Sequence, residues 1–311
     1  FRRVLFRSLA RRLMSCISFS NKLTSPRSQP SLMITTTAEL EELIDGTTQI
    51  PTLPTLLREV TKIVESPEGS ARDAGNLIEK DAAIATRVLR LVNSPFYGLR
   101  RSVSSIHLAC SILGLNVIKN LVVQASVLQT FHSEDASGFE AQWLWDHSFK
   151  TAVACRMLAE RTPIAHGLTK EDAYTCGLIH DIGKMVLLTS QRERFVEALE
   201  LSDSGNVPLA KAESALFGFH HAHVGGLLAQ RWKLAPAVQA AVAYHHSPAS
   251  DPTDWARGFL VQAANTFAHR AATMSGGYRG DLCDDDSLQA LHLTNEQIAE
   301  ITAAVASAGI D

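Results

Sequence analysis

Apolar residues recur at intervals of three and four along most of the chain from residue 38 onward, separated by short polar turns. This pattern predicts helices at 38–45, 54–66, 70–79, 81–93, 103–113, 115–131, 139–161, 170–182, 184–202, 207–217, 221–232, 235–246, 254–273 and 295–308. Period-two alternation rich in Val, Ile and Tyr is missing, so the reading is an all-α, multi-helix bundle. Punctuation agrees with it. Gly114, Gly183 and the run Asn93-Ser94-Pro95 stand as helix stops. Thr169 is the expected N-cap of 170–182, and Thr294 with Gln297 has the spacing of a capping box.

No fixed-period repeat marks a solenoid. The polar stretch His132–Gly138 divides the helical body into 38–131 and 139–275. The segment 276–311 is read as an acidic loop followed by a terminal helix. Asp284, Asp285 and Asp286 in that loop lack the ligand ladder of a calcium-binding loop and are taken as a charged turn.

Composition sharpens this picture. With 46% hydrophobic and 20% charged residues among 311, the chain can bury a large core. Its net charge of −3 is unevenly spread, because residues 1–32 hold seven basic side chains and no acid. The remainder, with 22 basic side chains against 32 acidic, stands at −10. A body this acidic is unsuited to sequence-independent nucleic-acid binding, so no nucleic-acid partner is expected. The basic, apolar opening FRRVLFRSLARRLM has the look of a targeting peptide or surface helix. It equally resembles an extension ahead of a start at Met33. The expectation adopted is an extension over 1–37 that takes no part in the fold. Five cysteines, odd in number and without a CxxC pair, favour a reducing, cytoplasmic setting. No apolar run reaches 18 residues, so no membrane span is expected.

Candidate chemistry lies in the second half, where nine of the twelve histidines fall between His132 and His246. His147 shares a helix face with Thr151, Ala154 and Leu158. His180 shares one with Ala173, Cys176 and Gly177, His221 with Val224, Gly225, Leu228 and Trp232, and His245 with Val238, Ala241 and Val242. Each histidine is thus on the stripe that should face the core. Four inward imidazoles are costly to bury unless they find partners or a metal, and helical bundles build metal sites from such side chains with a carboxylate. Asp181 supplies the carboxylate. Neighbouring residues are about 100° apart on a helix, so His180 and Asp181 grip one ion from two sides or bridge two. Lys184 completes GLIHDIGK as a cation able to hold a substrate phosphate. His246 is read either as a second ligand beside His245 or as a rim residue. His223 is placed on the outer face and His220 at the helix start. His107, His132, His166, His269 and His292 are read as ordinary structural or surface histidines. A nucleophilic Cys176–His180 pair is disfavoured because Cys176 sits in a packing stripe. Walker, GxGxxG, GxSxG and HExxH patterns are missing.

The order His…His-Asp…His…His resembles the HD superfamily of metal-dependent phosphohydrolases. IPTLPTLLREV (50–60), EKDAAIATRVLRLVNSPFYG (79–98) and SVSSIHLACSILGLNVIKNLV (102–122) narrow the resemblance to the HDOD domain, the HD-related output domain of bacterial signalling proteins. WDHSFKTAVACRMLAE, GLIHDIGKMVLL and HAHVGGLLAQRWKLAP carry it onward, so that it covers about residues 48–272. The resemblance implies an all-α module that works by contact with a signalling partner. It puts His147, His180, Asp181, His221 and His245 at the HD ligand positions; if a divalent metal is held there, imidazole with carboxylate suits Fe, Mn or Zn about equally. Two departures bear on activity. Asn265, on a stripe with Val261, Ala264 and Ala268, stands where active HD enzymes carry a last aspartate, and an amide is a weaker ligand. After His246 the run SPASDPTDW lacks the DGxGYP of enzymes that cleave cyclic di-GMP. Three readings follow: a regulatory module, a metal-dependent phosphohydrolase in which Asp181 and Lys184 are catalytic, and an inert scaffold.

Overall fold

A computed structural model describes residues 55–93, 97–130, 141–165, 168–232, 234–271, 283, 288–289 and 291–308. The predicted helix 38–45, the boundary His132–Gly138 and most of the acidic loop 276–287 lie outside the described residues. Among the described residues every regular element is helical.

The first half comprises α1 (Thr55–Glu65), α2 (Ala71–Ile78), α3 (Ala82–Val92), α4 (Ile106–Leu113) and α5 (Leu115–Thr130). Local chemistry sets their ends. The side chains of Ser70, Asp81 and Ser105 each accept an amide hydrogen from the first turn of the helix they precede. Gly114, at φ 81°, turns α4 into α5. Leu57, Ile78, Ile84, Val88, Ile106 and Leu121 are almost wholly buried where these helices meet. At full burial each contributes on the order of 1.5–3 kcal/mol.

The second half holds α6 (Ala141–Arg161), α7 (Lys170–Ile179), α8 (Ile182–Ser190), α9 (Arg192–Gly205), α10 (Leu209–Phe217), α11 (His221–Arg231), α12 (Pro236–Tyr244) and α13 (Trp255–Ala271). The terminal helix α14 (Asn295–Ser307) packs on α6 and α13. Thr169 caps α7 as expected and also forms a capping box with Asp172, and the expected box of Thr294 with Gln297 is present. α6 packs against α7 and α13, α11 against α8 and α12, and α12 against α13. One buried apolar core runs through both halves.

Two boundaries differ from the pattern. The single helix expected at 184–202 is two, α8 and α9, which change direction at Gln191 (φ −138°, ψ 41°) without a Gly or Pro to announce it. Gly183 does not stop a helix. It lies inside α8, and a Cβ there would stand 1.9 Å from the carbonyl oxygen of His221. Its bare Cα is what lets α8 approach the start of α11, a contact no side chain would allow.

The halves are joined by hydrogen bonds as well as packing. The buried Asn120 of α5 donates to the Glu171 carbonyl at 2.8 Å and accepts from the Thr175 hydroxyl at 2.6 Å, both on α7.

Candidate metal centre

α7 ends at Ile179 and α8 begins at Ile182, leaving His180 and Asp181 at the junction. His180 keeps right-handed helical angles and Asp181 lies at φ −96°, ψ 10°, so the backbone barely breaks and the two side chains splay apart. Asp181 is the hub. Its Oδ2 lies 3.2 Å from His180 Nε2 and 3.7 Å from His147 Nε2. Its Oδ1 lies 3.2 Å from His221 Nε2 and 3.8 Å from His245 Nε2. Four helices thus aim imidazoles at one carboxylate: α6 brings His147, the end of α7 His180, the start of α11 His221 and the end of α12 His245.

The donor atoms fall into two groups that share Asp181, one with His147 and His180 and the other with His221, His245 and His246. His246 joins through its Nε2, 2.8 Å from that of His221. Asp181, His180, His221 and His245 are at most 2% exposed, His147 is 4% and His246 is half-buried.

Whether these residues suit a metal can be asked of their hydrogen bonds. His180 Nδ1 lies 2.8 Å from the Gly177 carbonyl and His245 Nδ1 lies 2.7 Å from the Val242 carbonyl. A carbonyl only accepts, so Nδ1 carries the hydrogen in each ring and a neutral ring turns a bare lone pair on Nε2 toward Asp181. The buried Nε2 atoms of His147, His180 and His245 have no hydrogen-bond partner. Lone pairs facing a carboxylate repel it unless a cation lies between them. Burial holds His147 and His245 well below the ordinary histidine range, which disfavours a proton in that place. Burial alone would raise Asp181, but the Lys184 ammonium bonded to it at 2.6 Å helps hold its carboxyl well below the usual range, keeping it an anion. Burial opposes the His221 proton but the Glu213 and Asp181 carboxylates favour it, and it would have to leave Nε2 for a cation to bind. With the rings neutral, imidazoles around an ionised carboxylate could hold a divalent iron, manganese or zinc ion.

The remaining expected residues are placed as follows. Lys184 is 1% exposed and donates to Asp181 Oδ2 at 2.6 Å, one helical turn away, so its ammonium lies beneath the carboxylate and away from solvent. Asn265 on α13 is buried, and its Oδ1 has no hydrogen-bond partner. His223 is exposed as expected, and its Nδ1 accepts from the His220 amide at 3.3 Å.

Two residues escaped the sequence reading. His269, taken as an ordinary histidine, lies with its ring 4.6 Å from that of His147, and burial lowers it to about 4. It stands one turn beyond Asn265 on the same face of α13, a spacing that could have revealed it. Glu213 on α10 is fully buried, and its Oε2 lies 2.6 Å from His221 Nδ1. A buried glutamate is rare enough that no pattern in α10 singles it out.

The comparisons agree with this architecture. A solved HDOD domain protein of unknown function from Geobacter sulfurreducens superposes with a TM-score of 0.72 at 25% identity, over 88% of this chain and 98% of that one. A protein from Marinobacter aquaeolei VT8, provisionally described as a signal transduction protein, superposes with a TM-score of 0.68 at 22% identity, over 97% of this chain and 64% of that one. An uncharacterized protein of Treponema pallidum (strain Nichols) is 29% identical over 220 residues, 71% of this chain. The chain spans only 42% of that relative's length. The HDOD domain family matches residues 50–248. With more than half of its length so matched, the chain belongs to the HDOD domain family.

Proposed function

We propose that the protein is a regulatory output module of bacterial signal transduction, working by contact with a protein partner. In this reading His147, His180, Asp181, His221, His245 and His246, with Asn265 nearby, hold a divalent metal that braces the second half. One observation carries the proposal: the histidines meeting at Asp181 are buried on inward helix faces, and Lys184 is engaged with Asp181. A phosphodiester would have little exposed ligand surface to meet. The bound ion would supply fixed positive charge and Lewis acidity. The chain's own residues orient the donors and exclude water.

A phosphohydrolase is the second reading. It is favoured by the way each oxygen of Asp181 faces its own set of histidines, an arrangement suited to a carboxylate shared by two ions. Metal content by plasma mass spectrometry, on the chain purified without chelator, tests the first reading. Near-stoichiometric iron, manganese or zinc in the wild type, lost in Asp181→Ala, is the expected result. Folded protein free of metal would overturn the metal-braced reading. Turnover in a nucleotide and phosphodiester screen, abolished by His180→Ala and by Asp181→Ala, would put the hydrolase in its place.

A further inference from the structure

Glu213 meets His221 twice. Its Oε2 lies 2.6 Å from the ring Nδ1 and accepts the backbone amide hydrogen of the same residue at 2.9 Å. His221 opens α11, so that amide is among those a helix leaves without an internal partner. The short link from α10 to α11, which turns at Gly218 (φ 79°), folds Glu213 back onto a histidine eight residues later. One carboxylate oxygen therefore fastens both the main chain and the imidazole of His221. With Nδ1 held as a donor, Nε2 is the atom left to point at Asp181 Oδ1, 3.2 Å away, and at His246. The other rings do without such a clamp: His180 and His245 place Nδ1 against carbonyls of their own helices.

We propose that Glu213 is a positioning residue for the Asp181–His221–His245–His246 group, fixing the orientation and tautomer of His221 so that Nε2 is presented to a divalent cation. The proposal deepens the metal-centre reading and rests on it for the cation, while the claim about His221 itself stands without one. A carboxylate behind a ligating histidine commonly governs metal affinity by about 10–100-fold.

The experiment uses the full chain, stripped of metal and titrated with Zn2+ alone by calorimetry, beside imidazole 15N–1H NMR of His221. Four proteins are compared: wild type, Glu213→Ala, Glu213→Gln and, as the reference for a lost site, Asp181→Ala. Glu213→Ala is expected to weaken Zn2+ binding by about 10–100-fold and to remove the hydrogen-bonded Nδ1 proton of His221. The Nδ1 signal of His180, bonded to Gly177, should stay unchanged. Glu213→Gln keeps an acceptor oxygen of the same shape, so it should retain the His221 proton and recover part of the affinity. It also supplies a folded protein if the alanine variant unfolds, and an affinity equal to Asp181→Ala in Glu213→Gln would then overturn the proposal. So would a wild-type-like affinity and His221 signal in Glu213→Ala, or a change in one without the other. If the wild type binds no Zn2+, the metal-centre reading loses its support and the NMR comparison alone decides the role of Glu213.

Discussion

The two halves of the molecule bury different things. In α1–α5 the buried polar side chains are confined to α5, at Asn120, Gln124 and Ser126, and helix starts are secured by short, half-buried caps. In α6–α13 the interior takes in His147, His180, Asp181, Lys184, Glu213, His221, His245 and Asn265. α8 shows how far this goes, since every residue from Ile182 to Leu188 is buried, Lys184 included. Apolar surface alone would make a more economical core, because buried polar groups stabilise only when fully partnered. A half that places an ion pair and a ring of histidines where apolar side chains would serve is built around a site. A half that does not is built around packing.

The contrast predicts where substitutions hurt. Asp181→Ala should have the largest effect, because it strips Lys184 of its buried carboxylate. Removing one member of a buried ion pair costs about 3–5 kcal/mol, and urea unfolding in the presence of chelator would measure it. A loss under 1 kcal/mol would show that the pair carries little weight. Gly183→Ala should follow, at about 1–3 kcal/mol or more, because the new methyl group meets the His221 carbonyl and must push α8 from α11. Near-neutral behaviour there would mean that the two helices have room to part. Asn120→Ala removes its two hydrogen bonds to α7 and should cost about 1–3 kcal/mol, read from the same unfolding curves.

Acid offers a milder perturbation confined to the second half. His269 is lowered by burial to about 4, so between pH 6.5 and 4 the unfolded chain binds a proton that the folded chain refuses. Stability of the metal-free protein should therefore fall as pH drops through that window, with His147, His245 and His246 acting in the same direction. His269→Gln should make the fall less steep by the share of one proton. His221 opposes this trend: burial works against its proton, yet the Glu213 and Asp181 carboxylates raise it. The smallest effect is expected in the first half, at Leu108 and Ile112, 47% and 50% exposed on α4. Serine at either should shift stability by no more than about 0.5 kcal/mol. A larger shift would mean that this face is covered.

Much of this was legible beforehand, for a reason specific to helices. A period of 3.6 assigns each side chain a face, and the inward faces of His147, His180, His221 and His245 follow from their apolar neighbours. What periodicity cannot supply is the meeting of elements distant along the chain. Glu213 lies on a helix that was read correctly, but only the turn at Gly218 brings it to His221. The hydrogen bond of Lys184 to Asp181 agrees with a spacing of three residues, which puts the two within one turn. Gly183 has the composition of a helix stop, and what it serves is an approach by α11 that α8 alone does not reveal. The break at Gln191 lacks any signal of composition; beyond it α9 packs on α10, an element later in the chain.

The two hydrogen bonds of Asn120 have a mechanical side. α7 spans Lys170–Ile179, about 15 Å at the helical rise, and over such a length a helix behaves as a stiff rod. It is held to α5 at its start, Glu171, and its middle, Thr175, and its far end runs into His180 and Asp181. These bonds seat α7 on α5, and the same helix leads directly into His180 and Asp181, so the placing of the carboxylate depends on a seat supplied by the packing half.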